Sequence, residues 1–240
     1  MDRPRLELAW RSDRGLVRKR NEDAVLVDAD VGVLVVADGI GGANAGDVAS
    51  RLAAEVIVRR FRHQPPSRND PQGAQLLVET AIDEANAAIL AHARDTDGCS
   101  GMGTTVVVCY LGDDWLVYAH VGDSRLYRLR DSRLEQLTRD HSMIQELVDQ
   151  GFFPDRDQAR QSGINDNILT RAVGSGQHPP SAPTAVSDLT VGDVFLLCTD
   201  GLTSMVPRGE IELVLAADNS DLDEVADALV QMACDAGGVD

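Results

Sequence analysis

Four aspartates end or interrupt apolar runs beside glycine: Asp38 in Val-Val-Ala-Asp-Gly, Asp123 in His-Val-Gly-Asp-Ser, Asp200 in Leu-Cys-Thr-Asp-Gly and Asp240 in Gly-Gly-Val-Asp. A carboxylate at the point where a buried strand emerges is rigidly placed and costly to hold ionised without a partner. Several converging there repel one another unless cations neutralise them. Taken singly, each also reads as an ordinary turn residue. The repeat of apolar strand, aspartate, glycine at 38 and 200 makes the reading of converging carboxylates worth following. Converged carboxylates are hard oxygen ligands, which select Mg2+ or Mn2+ over zinc. One carboxylate bridging two such ions, ~3.5–4 Å apart, acidifies a shared water and clamps an attacked phosphoryl group. Such a centre needs a cation for the phosphate, and Arg14, Arg18, Lys19 and Arg20 stand just ahead of Asn21-Glu22-Asp23. Arginine's planar fork suits phosphate oxygens, although the same cluster also reads as a basic surface turn.

The elements that must position these groups follow from hydrophobic periodicity. Val- and Leu-rich runs bounded by Asp and Gly predict strands at Leu6–Trp10, Ala24–Val27 and Val31–Ala37. Val48, Leu52 and Val56 predict a helix, and a second is predicted from about residue 72 to 94 with Leu76, Ile82, Ala85 and Ile89 on its apolar stripe. Thr104–Leu111, Trp115–Val121 and Leu126–Leu129, separated by Gly-Asp-Asp and Gly-Asp-Ser, read as an antiparallel meander. Short helices are expected at Met143–Gln150 and Asp155–Gln161, a strand at Asp193–Cys198, and two amphipathic helices at Pro207–Ala217 and Leu222–Cys234. Strands in runs and helices in runs argue for α+β with antiparallel sheets.

Composition narrows the function classes. The 240 residues carry a formal charge of −17 with no Lys/Arg-rich tract, so nucleic acid and anionic membrane surfaces are disfavoured partners. The four cysteines show no Cys-x-x-Cys spacing, and Cys109 and Cys198 lie in apolar runs as ordinary buried thiols. The start, MDRPRLELAW, has no apolar leader stretch, and no run approaches ~18 apolar residues, so a cytoplasmic protein without membrane insertion is expected.

The order of motifs now carries a resemblance. The sequence runs Gly15-Leu-Val-Arg-Lys-Arg-Asn-Glu-Asp23, Asp38-Gly-Ile-Gly-Gly42, Gly101-Met-Gly-Thr-Thr105 and Gly122-Asp-Ser-Arg125. It continues with Thr138-Arg-Asp-His-Ser142, Leu169-Thr-Arg-Ala-Val-Gly174, Asp200-Gly-Leu202 and Gly237-Gly-Val-Asp240. Each motif is weak alone; their order resembles the protein phosphatase 2C-type, metal-dependent Ser/Thr phosphatases of bacteria, over essentially the whole chain. The resemblance implies a four-layer αββα sandwich, in which two antiparallel sheets face each other with helices outside. It implies one catalytic domain over residues 1–240 with a flap around 139–171, where substrate selection is expected, and the final core strand of the family is expected to be missing after 240.

Residue by residue, the resemblance implies that Asp38 bridges two Mn2+ or Mg2+ ions and that the carbonyl of Gly39 ligates one. Asp200 and Asp240 would ligate the other, Glu22 and Asp23 would support the site partly through waters, and Arg18 would hold the substrate phosphate. Asp123 matches a ligand of a weaker third ion. Three departures stand out. Ile40 replaces a histidine proposed as general acid in animal members and cannot donate a proton. Ser204 stands where a further aspartate usually serves the third ion. The chain ends at Asp240, where relatives continue. The implied partners are phosphorylated proteins, including a Ser/Thr kinase or its substrates such as forkhead-associated proteins, and a monomer is expected.

Rival chemistries fit less well. Val33–Ala37 followed by Gly39-Ile-Gly-Gly42 imitates a dinucleotide fingerprint, but its sixth position is Asn44, and Asp38 would repel a pyrophosphate. Cysteine-based phosphatase chemistry needs an arginine six residues after the nucleophile; Thr105, Trp115 and Ser204 stand there instead. The alternative kept from another class is a catalytically weak regulator of the same fold that binds phosphoproteins.

Overall fold

The structure, a computed structural model, describes residues 6–40, 45–176, 180–217 and 221–239. Asp240, Gly41 and Gly42 lie outside them. An antiparallel hairpin, β1 (Asp23–Asp28) and β2 (Val33–Ile40), opens the architecture. Two helices, α1 (Gly46–His63) and α2 (Pro71–Asp95), follow. Pro71 suits the first turn of α2, where its missing N–H needs no partner, and Asp70 caps that turn by accepting the Gly73 N–H at 2.9 Å.

The short β3 (Gly103–Thr104) pairs with the last two residues of β2, and β4 (Val106–Leu111) pairs with its body. Then β5 (Trp115–Val121) pairs with β4. The chain next crosses to a second sheet, where β6 (Arg125–Arg130) and β7 (Arg133–Gln136) form a hairpin. Two short helices, α3 (Met143–Asp149) and α4 (Arg156–Gln161), precede β8 (Ala185–Asp188), which returns to the first sheet beside β5. Finally β9 (Val194–Cys198) pairs with β6, ahead of α5 (Asp200–Thr203), α6 (Arg208–Ala216) and α7 (Leu222–Asp235). Among the described residues the first sheet runs β1-β2-β4-β5-β8, and the second runs β7-β6-β9.

Three cores separate four layers. Val33, Val35, Val106, Val108 and Val117 of the first sheet pack against α1 and α2 through Ala53, Ile57, Ile82 and Ile89. Val107, Cys109 and Leu116 turn the other way and meet Leu126, Phe195 and Leu197 of the second sheet. Tyr127, Leu129 and Cys198 face outward again, onto Ile211, Leu215 and Leu229 of α6 and α7. This explains why β4 reads Val-Val-Val-Cys-Tyr-Leu without alternation although its neighbours are antiparallel: both of its faces are covered. The expected αββα sandwich is the observed architecture.

Several expectations need correction. Thr104–Leu111, Trp115–Val121 and Leu126–Leu129 are strands, but not one meander, because β5 and β6 belong to different sheets. Gly122 makes the crossing with φ of 101°, and a Cβ there would lie 2.6 Å from Thr105 Cγ2. Leu6–Trp10 is not a strand; it has no ladder partner among the described residues, and Leu6, Leu8 and Trp10 are exposed. Leu76 is 65% exposed, and the buried stripe of α2 runs instead through Val78, Ile82, Ala85 and Ile89. The strands β7 and β8 were not anticipated.

Candidate metal centre and phosphate site

Sheet register brings the acidic residues to one end of the sandwich. Asp23, the first residue of β1, is the Cα partner of Asp38, near the end of β2. In the second sheet Arg125 pairs with Cys198, so extending that antiparallel register by two residues carries the chain to Asp123 on one strand and Asp200 on the other. Thr199 joins the two sheets here, its hydroxyl donating to Asp23 Oδ2 at 2.9 Å. On the other side, Asp38 N–H donates to Thr105 Oγ1 at 3.0 Å, and that oxygen lies 2.6 Å from Ser124 Oγ. Hydroxyls therefore stitch together the segments that carry Asp23, Asp38, Asp123 and Asp200.

Main-chain crowding places the remaining oxygen donors. A methyl group built on Gly39 would lie 2.1 Å from the carbonyl oxygen of Gly46, so β2 and α1 meet backbone to backbone. One built on Gly46 would lie 2.8 Å from Glu22 Oε1 and 2.9 Å from the Gly39 carbonyl oxygen. The Glu22 carboxylate and the Gly39 carbonyl thus share one small cradle, open only because residue 46 lacks a side chain. Arg18 is 48% exposed, and its guanidinium lies 3.7 Å from Glu22 Oε2. Lys19 and Arg20 are exposed on the same turn. Leu16 N–H donates to Gly238 O at 2.7 Å, which brings the described end of the chain against the loop that carries Arg18.

The electrostatics match an acidic site. Asp123 is buried, and burial, followed by the charges of Asp200 and Asp140, raises its carboxyl to about 7. Asp200 Oδ1 is also a buried oxygen. Among the described residues no three Asp, Glu, His or Cys side chains form a metal-holding group by themselves. Of the expected ligands, Gly39 offers a main-chain oxygen and Asp240 lies outside the described residues. The donors present are all hard oxygens, in a region whose negative charge is costly without a cation, and this fits Mg2+ or Mn2+.

Ser204 is exposed at the C-cap of α5, its N–H bonded to Asp200 O at 2.8 Å. Ile40 is partly exposed at the end of β2, next to Gly39. Thr105, Ser124 and Thr199 were not predicted as site residues. The motifs around the first two were legible, but a hydroxyl's bonding role depends on which strands adjoin, and local sequence does not state that.

A family model described as Protein phosphatase 2C matches residues 17–234. The serine/threonine phosphatase stp of Listeria innocua is 36% identical over 234 residues, covering 96% of this chain and 91% of that protein. Among solved structures, the serine/threonine phosphatase PstP/Ppp of Mycobacterium tuberculosis superposes with a TM-score of 0.83 at 34% identity, covering 97% of this chain and 93% of that one. The catalytic domain of PstP in complex with two manganese ions gives 0.80 at 34% identity, with the same shares of the two chains. With the sandwich, the acidic end and the ordered motifs all in agreement, the chain belongs to the protein phosphatase 2C family.

Proposed function

We propose that this protein is a protein serine/threonine phosphatase that hydrolyses phosphoserine and phosphothreonine with two divalent cations, Mn2+ or Mg2+. The observation that carries the reading is the meeting of Asp23 with Asp38, of Asp123 with Asp200, and of Glu22 with the Gly39 carbonyl at one end of the sandwich. Asp38, the Gly39 carbonyl, Asp200 and Asp240 would hold the ions, with Glu22 and Asp23 supporting them. When bound, the ions acidify a shared water and neutralise phosphoryl oxygens.

The chain's own residues bind and orient. Arg18 presents its fork to the phosphate, and its 3.7 Å approach to Glu22 keeps the guanidinium on the acidic side of the loop. Ile40 offers no proton, so the leaving serine or threonine oxygen takes its proton from water. Asp123 would serve a weaker third ion, weakened further because Ser204 supplies a neutral hydroxyl. Residues 139–171 would form a flap beside this end of a single catalytic domain. The physiological setting we infer is bacterial signalling in the cytoplasm, where a monomer opposes a Ser/Thr kinase or acts on its substrates, forkhead-associated proteins among them. Among the described residues no helix is long and apolar enough to cross a membrane.

The test is phosphate release from phosphoserine, phosphothreonine and phosphotyrosine peptides with Mn2+ and then with excess chelator. Release from the first two that stops on chelation is expected. Release that continues in chelator, or no release with Mn2+, would refute the reading.

A further inference from the structure

One buried cluster of charge lies beyond the proposed ligands. The Asp140 side chain, between β7 and α3, is fully buried and receives two guanidinium groups and an amide. Arg125, at the start of β6, grips it through Nε to Oδ1 at 2.9 Å and Nη2 to Oδ2 at 2.7 Å. Gln136 Nε2 donates to Oδ1 at 3.0 Å. Arg156, the first residue of α4, donates from Nη1 to Oδ2. Burial alone would raise the Asp140 carboxyl, but the guanidinium groups of Arg125 and Arg156 hold it below the usual range.

Arg125 already engages both oxygens of Asp140, and Arg156 adds a second cation from a different element, α4. The helices it serves bury few residues. Ile144 is the one buried residue of α3, and Ala159 the one buried residue of α4. The root of the segment is fastened by backbone, His141 N–H to Gly122 O at 2.9 Å and Met143 N–H to Ile168 O at 2.8 Å. At α4 the tie to the sheets is a side chain, Arg156. Through Arg125 the tie reaches the preceding residue, Ser124, and so Thr105 and the N–H of Asp38. The same segment exposes Met143, Phe152 and Ile168, apolar surface of the kind a bound polypeptide covers.

We infer that Arg156 is a positioning residue: through Asp140 and Arg125 it clamps α3–α4 to β6, and so sets affinity for phosphate carried on a polypeptide rather than on a small ester. A small ester needs only Arg18 and the acidic end, whereas a polypeptide extends onto its surroundings. This inference rests on the phosphatase reading.

The experiment compares wild type, Arg156→Gln and Arg156→Lys, loaded with Mn2+, on para-nitrophenyl phosphate and on phosphorylated casein. For Arg156→Gln the KM for phosphocasein should rise about five- to tenfold with kcat within about twofold, while both constants for the small ester stay within about twofold. Arg156→Lys, which keeps the charge but loses the fork, should recover part of the loss. Chymotrypsin should cut after Phe152 or Phe153 several-fold faster in Arg156→Gln, with or without Mn2+, since the clamp needs no metal. Equal losses on both substrates, an unchanged phosphocasein KM, or unchanged cleavage would overturn the inference. A wild-type protein that turns over neither substrate would instead refute the phosphatase reading, and with it the substrate role of Arg156; the cleavage rates would still report whether the clamp holds α4.

Discussion

Around Asp38 the chain is positioned by main-chain packing and neutral hydroxyls, whereas around Asp140 it is positioned by side-chain charge. Gly39 and Gly46 touch backbone to backbone, and Thr104 Oγ1 and Thr105 N–H both donate to the Asp38 carbonyl at 2.8 Å. A side chain at either glycine would push a strand against a helix. Asp140, in contrast, is held by Arg125, Gln136 and Arg156, each of which can be exchanged singly. The difference suits the two tasks. Residues proposed to hold metal ions tolerate little displacement, which backbone packing at Gly39 and Gly46 suits. A segment proposed to meet a polypeptide substrate is better held by side chains, whose replacement changes its hold without unmaking the sheets.

The comparison can be broken first at Asp140. Asp140→Ala strands the buried Arg125 guanidinium and should cost about 3–5 kcal/mol, against much less for Arg156→Gln, which leaves the Arg125–Asp140 pair in place. Urea unfolding of both variants checks this; equal losses would show that Arg156, not Arg125, is the main partner. On the main-chain side, Gly39→Ala sets a methyl 2.1 Å from the Gly46 carbonyl oxygen and should cost about 2–3 kcal/mol together with most activity. In the same denaturation assay Gly209→Ala, which meets nothing within 4 Å in α6, should be neutral or stabilise by up to ~1 kcal/mol.

A pH titration sharpens the comparison where the segment 139–171 leaves the sheets. His141 stacks on His120 with ring centroids 4.5 Å apart, and its Nδ1 accepts the Gly122 N–H at 3.2 Å. Burial, then the charges of His120 and Arg171, lower it from 6.5 to about 4. The unfolded chain therefore binds this proton first. The stability the neutral ring contributes is present above about pH 6.5 and lost as pH falls toward 4. Allowing for solvent at a partly exposed ring, the loss is on the order of 1–2 kcal/mol. Stability measured at pH 7.5, 5.5 and 4.5 should fall less steeply in His141→Phe than in wild type; parallel slopes would contradict the assignment. The smallest effect is expected at Leu76, where a glutamate should change stability by no more than ~0.5 kcal/mol because the side chain projects outward.

That last site shows where sequence reading failed and why. Leu76 and Ile82 lie six residues apart, about 240° around a helix, so they cannot share a narrow stripe, whereas Val78 and Ile82 can. The strands richest in Val and Leu, β2, β4 and β5, were legible because burial on both faces demands such residues. By contrast β7, Arg-Leu-Glu-Gln, and β8, Ala-Val-Ser-Asp, are short and polar and become strands by pairing with β6 and β5. Gly122-Asp-Ser reads as a hairpin turn in any local window. That it switches sheets depends on β9 and β8, more than sixty residues away. The aspartates at strand ends were legible as candidates, but the approach of Asp123 to Asp200 was not, since it follows from register between strands far apart in the chain. The Arg125–Asp140–Arg156 cluster carried no local signal.

The central claim is that the acidic end of the sandwich is a two-ion centre organised by Asp38, and Mn2+ binding tests it most directly. Isothermal titration calorimetry of the wild type should show about two tight Mn2+ equivalents, and Asp38→Asn, which keeps the side chain's shape, should lose at least one while its thermal unfolding in chelator stays near that of the wild type. The same stoichiometry and affinity in Asp38→Asn as in wild type would contradict the account.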